Sequence, residues 1–180
     1  GEAAAAAVYA ALLEHARSAV DATGLPWSLS LAGPADPRWT GALPVDAELQ
    51  VEGDLGRRMR ACLQRWFDDG EARVVIVGSD IPGLARVHLL RALEALDEHE
   101  VVLGPSGDGG YWLMGQRAPG VDCFTGVPWS SPDTLAATRG RLEELDIDWA
   151  EIDPLSDIDT VDDLEHTLDD RRVDPSLRHR

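Results

Sequence analysis

Lysine is absent from this chain. All sixteen basic residues among its 180 are arginine, they face 33 acids, and the formal charge is −17. Nothing in so acidic a sequence offers the basic stripe that a phosphate backbone needs, which excludes a nucleic-acid surface. Without lysine there is no P-loop either, so any diphosphate must be held by arginine, by backbone N–H groups or through a metal ion. Cysteine is scarce: Cys62 and Cys123 are too few for a disulfide framework or a thiolate cluster, which suits a reducing cytoplasm, and a cytoplasmic protein is expected. No apolar run approaches the roughly twenty residues of a membrane span, and the alanine-rich opening lacks a basic leader, so no membrane partner is expected. The histidines at 15, 88, 99, 166 and 179 have no paired spacing for zinc. An opening strand with a glycine-rich loop, usual in nucleotide-binding α/β folds, is missing too: Gly1 leads directly into a helical pattern.

What is present is organised around residues 73–84, Arg-Val-Val-Ile-Val-Gly-Ser-Asp-Ile-Pro-Gly-Leu. Four branched aliphatics, 74–77, show no polar alternation and predict a central strand buried on both faces, as in a parallel sheet covered by helices. Asp80 stands just beyond it, where ligands of open α/β sheets gather. The alternative is that Asp80 only caps the helix predicted over 84–96 after the Pro82-Gly83 turn.

Around this strand the patterns alternate. Residues 2–22 predict a helix, with Val8, Leu12, Ala16 and Val20 on one stripe, and 27–32 a strand. The proline-rich run 35–44 predicts a surface loop, 48–51 a short strand, and 50–56 a turn opening a helix whose inner stripe is Leu55, Met59, Cys62, Leu63 and Trp66. Arg57, Arg58 and Arg60 occupy that helix's first turns, a poor place for cations unless an anion approaches; for Arg57 and Arg58 phosphate contact and solvated surface are equally open. Residues 100–104 predict another strand. The run Pro105-Ser106-Gly107-Asp108-Gly109-Gly110 after it is either an Asp-Gly hairpin turn or a flexible loop that offers backbone N–H groups, notably of Gly109 and Gly110, to a ligand. Extended apolar chain resumes at Tyr111. Ser131 as N-cap and Pro132 as first residue predict a helix over 133–145, and 148–152 a strand. Trp129 walls a pocket or plugs the core. Asp157 and Asp159 share a face if extended, Thr160 with Asp163 resembles a capping box for a helix over 161–169, and 171–180 predicts a frayed tail. One domain over 1–170 and a flexible tail over 171–180 follow.

Three acidic points thus emerge beyond strands: Asp80, Asp108 and the Asp157/Asp159 pair. Carboxylates at two such points suit Mg2+ or Mn2+ shared with substrate phosphates, and Asp108 then orients or deprotonates an acceptor hydroxyl. Residues 75–84, 104–111, 126–132 and 157–160 together resemble a bacterial glycosyltransferase-like family of unassigned specificity. It belongs to the nucleotide-diphospho-sugar transferase fold, alongside the molybdenum-cofactor and phospholactate guanylyltransferases. The resemblance runs from the first helix to about Leu168, with the four motifs in the expected order.

The resemblance implies an α/β three-layer sandwich with a mostly parallel central sheet. It also implies that Asp80 and Asp159 meet the metal, and that Gln50, Gly53, Leu55 and Gly56 lie near the nucleotide base. The family's first strand and its basic phosphate loop are expected to be absent here, with a gap or rearranged pairing between the strands at Leu29 and Ile76. The leading function is a metal-dependent transferase passing sugar from a nucleotide-diphospho-sugar to a small-molecule acceptor. A nucleotidyltransferase acting on a phosphorylated small molecule, and a non-catalytic binding module of the same fold, are the alternatives. Assembly as a homodimer is admissible and rests on no particular residue.

Overall fold

The computed structural model describes residues 1–33 and 47–158. The loop expected over 35–44, Asp159, the capping box at Thr160, the helix over 161–169 and the tail lie outside the described residues. In chain order the elements are α1 (Glu2–Asp21), β1 (Leu29–Leu31), β2 (Ala47–Leu49), α2 (Leu55–Asp68), β3 (Arg73–Val77), α3 (Arg86–Glu98), β4 (Val101–Pro105), β5 (Tyr111–Arg117), α4 (Thr134–Glu144) and β6 (Trp149–Glu151).

The main sheet has the order β3-β5-β4-β6. β3, β4 and β6 run one way, and β5 lies between β3 and β4 in the opposite sense. The expected mostly parallel sheet is therefore mixed. The turn over 106–110 is long enough for a hairpin and too short for the crossover of a dozen or more residues that a parallel neighbour requires. β3 is also not the centre of this sheet. Its only ladder among the described residues is to β5, and only Val74 of its five residues is fully buried. The central strands are β4 and β5, with Val101, Val102, Leu103 and Met114 at 1% exposure or less. β1 and β2 make a separate parallel pair, Leu29 opposite Ala47, and no ladder joins them to β3 among the described residues. That is the discontinuity expected between Leu29 and Ile76.

Helices cover both faces, giving three layers. Alternation along β4 sends Val102 to one side, where it meets Ala16 and Ala19 of α1 and Leu89, Ala92 and Leu96 of α3. Val101 and Leu103 point to the other, against Met59 and Leu63 of α2 and Leu135 and Leu142 of α4. The α2 stripe is shorter than its spacing predicts: Leu55 is 46% exposed, because the first turn overhangs the sheet's end. Asp54 caps α2 by accepting the Arg57 N–H at 2.8 Å. α3 begins two residues later than expected, since the Leu84 N–H is drawn into a turn on the Ile81 carbonyl and Ala85 is extended, its N–H donated to His88 Nδ1 at 3.1 Å. α4 likewise starts at Thr134 with Asp133 as N-cap. The Ser131 hydroxyl accepts the Asp133 N–H at 3.2 Å, one turn ahead of the helix proper.

Beyond β6 the chain becomes a strap over the carboxyl ends of the strands. Ile152 N–H donates to the Leu103 carbonyl at 2.9 Å, Leu155 N–H to Pro105 at 3.2 Å, and Ile158 N–H to Asp80 at 3.1 Å. This route carries the acidic stretch that starts at Asp157 back to the organising loop.

Candidate functional site

A cavity of about 290 Å3 opens at the carboxyl end of β4, between the 106–110 turn, the first turn of α2, the approach to α4 and the strap. Its walls are Leu55, Tyr111, Trp129 and Pro132; its polar groups are the Asp108 and Asp157 carboxylates and the hydroxyls of Ser106, Ser130, Ser131 and Thr134. Glycine decides how the turn seats. Gly109 has φ +90 and lies so close to Pro132 that a Cβ would come within 2.8 Å of that residue's carbonyl carbon. Its own carbonyl accepts the Leu135 N–H at 2.8 Å, which clamps the turn to α4.

Within this turn the Ser106 hydroxyl donates to Asp108 Oδ1, and the Gly110 N–H donates to the same oxygen at 2.9 Å. The Ser106 hydroxyl, with the Gly110 N–H in support, holds the Asp108 carboxyl below its ordinary range against a partial desolvation that pushes it up. Asp108 is therefore a fixed anion on the exposed rim. The run is a hairpin turn between β4 and β5 whose Asp108 lines the cavity, and the Gly110 N–H expected to be offered to a ligand donates to Asp108 instead. Burial drives the Tyr111 hydroxyl upward, so the ring stays neutral and serves as a wall. Trp129 stands at 88° to Tyr111, centroids 6.4 Å apart, and leans on Phe124 at 6.2 Å. It walls the cavity and joins the core at once.

Asp80 sits half-buried beyond β3 and outside the cavity lining. Gly78 makes room for it: a Cβ there would lie 2.8 Å from Asp80 Oδ1, so the carboxylate folds back over the strand end. The Ile158–Asp80 backbone bond puts Asp80 against the strap one residue from Asp157, while Asp159 lies outside the described residues. On the other flank the Tyr9 hydroxyl of α1 is 3.5 Å from Ser79 Oγ.

The residues expected near the nucleotide divide. Leu55 and Gly110 line the cavity. Gly56 is buried under Trp129, whose Cε2 would lie 2.5 Å from a Cβ at that position. Gln50 donates to the Ser30 carbonyl at 3.2 Å and accepts from Arg58 at 3.4 Å, and Arg58 donates to the Gly53 carbonyl at 2.9 Å, so this loop is braced internally. Arg58 is thereby a structural group of the loop. Arg57 is exposed and contributes its N–H to the Asp54 cap.

Among the described residues no group of three carboxylate, histidine or cysteine side chains stands together as a metal cluster. The oxygen donor at Asp80 is of the kind that Mg2+ or Mn2+ takes. Sequence reasoning passed over Ser106, whose i, i+2 spacing to Asp108 is the available signal, and Tyr111, which only the hairpin turns toward Trp129. Asp157 was considered only as half of a pair with Asp159.

A family model described as uncharacterized protein conserved in bacteria (DUF2064) matches residues 13–131. Among solved structures, a protein of Desulfovibrio desulfuricans G20, provisionally named a nucleotide-diphospho-sugar transferase, is 30% identical with a TM-score of 0.81. The alignment covers 87% of this chain and 71% of that one. No curated protein matches. No helix among the described residues is long and apolar enough to cross a membrane.

Proposed function

Since this chain belongs to the DUF2064 family of bacterial proteins and shares its fold with a provisionally named nucleotide-diphospho-sugar transferase, we propose that it transfers sugar from such a donor to a small acceptor seated in the Asp108 cavity. One observation carries the reading: Asp157 lines the same cavity as Asp108, and the next residue is bonded to the backbone of Asp80. Asp108 and Asp157, 49 residues apart, thus line one cavity where open α/β sheets bind ligands. Asp80 and Asp159 would hold Mg2+ or Mn2+, which supplies neutralisation of the charge on the departing diphosphate.

The chain's own part is positioning. Asp108, kept ionised by Ser106, is a poor proton acceptor near neutrality and a good hydrogen-bond acceptor, so it orients the attacking hydroxyl. The acceptor oxygen bonds to the sugar's anomeric carbon as the bond to the diphosphate oxygen breaks; the diphosphate leaves with the electron pair and the hydroxyl proton passes to solvent. Tyr111, Trp129 and Pro132 exclude part of that solvent from the reacting groups. Among the described residues the cavity lining contains no arginine or histidine to meet the phosphate of the nucleotidyltransferase alternative's acceptor.

The test is titration with Mn2+ and a panel of nucleotide sugars. Asp80→Asn is expected to abolish metal-dependent donor binding with the circular-dichroism spectrum unchanged. Unaltered metal affinity in that variant, or metal-dependent turnover of nucleoside triphosphates in place of nucleotide sugars, would refute the proposal.

A further inference from the structure

α3 opens without the usual caps. Ala85, its N-cap, has no side-chain acceptor, and no acid occupies the first turn. The acceptor comes instead from His88, the third helical residue: its Nδ1 receives the Ala85 N–H at 3.1 Å, while the His88 N–H donates to the Ala85 carbonyl at 3.0 Å. Glutamate or glutamine ordinarily takes this position in a capping box, and neither changes its acceptor near neutral pH. Histidine does. A backbone N–H can only donate, so Nδ1 bears the lone pair and the neutral ring carries its proton on Nε2. The ring stands at 71° to Trp112 of β5, centroids 6.0 Å apart. Trp112 donates its Nε1–H to the Asp153 carbonyl of the strap at 3.3 Å, and the Asp153 carboxylate pairs with Arg91. The loop between Asp80 and α3 is buried at the same place: Ile81 and Leu84 share one core cluster with Trp112, and Leu155 of the strap packs against it.

We infer that His88 is a proton-operated latch on the loop that carries Asp80. With the ring neutral, Nδ1 holds the Ala85 N–H and fixes residues 81–85 to the start of α3. With Nδ1 protonated, that N–H faces another N–H, the first turn of α3 frays, and the loop is released from its helix. The charged groups facing the ring are Arg91 from its own helix and Asp153 from the strap; β5 presents Trp112, and α1 packs on this side through Ala16, Ala19 and Val20. Burial, then Arg91, holds the imidazole below its ordinary 6.5 against the pull of Asp153. The unfolded chain therefore takes the proton first. The neutral ring's contribution to stability is present above pH 6.5 and is lost as pH falls through the folded value. Any consequence for transfer rests on the proposed role of Asp80; the latch itself does not.

Amide hydrogen exchange of the whole chain, without metal or nucleotide, reads the latch at Ala85. After correction for intrinsic exchange, the Ala85 N–H is expected to lose about fivefold more protection than the β4 amides between about pH 7.5 and about pH 5. His88→Gln supplies a capping acceptor that does not titrate, and is expected to keep the protection at both pH values. His88→Phe keeps a ring against Trp112 without the acceptor, so its Ala85 protection is expected to be low at both. Nitrogen NMR of the wild-type ring on the neutral side of its titration is expected to show the Nε2–H tautomer. Equal changes at Ala85 and in β4, the same acid loss in His88→Gln, wild-type protection in His88→Phe, or a neutral ring protonated at Nδ1 would each overturn the inference. The two readings fail separately. Absence of sugar transfer would remove the proposed function and leave the latch, and a flat Ala85 response would do the reverse.

Discussion

Gly56→Ala tests the cavity's construction directly. A methyl at this position would lie 2.5 Å from Cε2 and 2.6 Å from Nε1 of Trp129, inside the 3.0 Å below which something must move. The indole has little freedom to retreat, since Phe124 backs it and Tyr111 meets it edge-on. Overpacking of this kind costs about 1–3 kcal/mol. Without the clash, replacing a helical glycine by alanine gains up to about 1 kcal/mol. The expected net effect is a loss of about 1–2 kcal/mol in urea unfolding, with an unchanged m-value. In a Trp129→Leu background the obstruction is gone. There the same substitution is expected to be neutral or stabilising, a coupling of about 2 kcal/mol between the two positions. Stabilisation by alanine in the wild-type background, or an equal loss in both backgrounds, would refute the packing of Trp129 on Gly56.

Gly109→Ala combines a left-handed φ of +90 with a Cβ 2.8 Å from the Pro132 carbonyl carbon, and is expected to cost more than about 2 kcal/mol in the same unfolding assay. Ser106→Ala removes the first cause of the Asp108 shift and should raise that carboxyl toward its ordinary 3.8, read by carbon NMR titration. The sign for stability follows: a folded-state pKa held below the unfolded value stabilises above pH 3.8 and loses that contribution as pH falls through the folded value, so the variant's acid unfolding should be less steep there. Leu103→Ala, at a fully buried site between α2 and α4, is expected to cost about 2–5 kcal/mol. Asp108→Ala is expected to lower turnover more than nucleotide affinity in steady-state kinetics; equal losses would move Asp108 into the nucleotide site.

Much of the architecture is local and was therefore legible. Apolar periodicity marks α1, α2 and β4 because a helix or strand buries whichever face its own spacing lines up. The glycines of 104–110 and their single acid, Asp108, announce a turn carrying a carboxylate for the same reason. The position of β3 was misjudged because four branched aliphatics in a row say only that a strand is apolar; which edge it occupies depends on β5 turning back between β3 and β4. Spacing places Leu55 on the helix's inner stripe, whereas the sheet ends before that turn and leaves it on the cavity rim.

Composition alone determined that no lysine holds a phosphate and that the protein's charge is strongly negative, since both are sums over residues. Single residues with their neighbours determined where an acid could be presented, at Asp80 and Asp108. Only the tertiary structure decided that Asp157 shares a cavity with Asp108, that Trp129 and Tyr111 meet at right angles in it, and that Gly56 is the seat of an indole. Those pairings join residues 18 to 73 positions apart in the chain. They are made by strand order and helix docking, which no local pattern encodes.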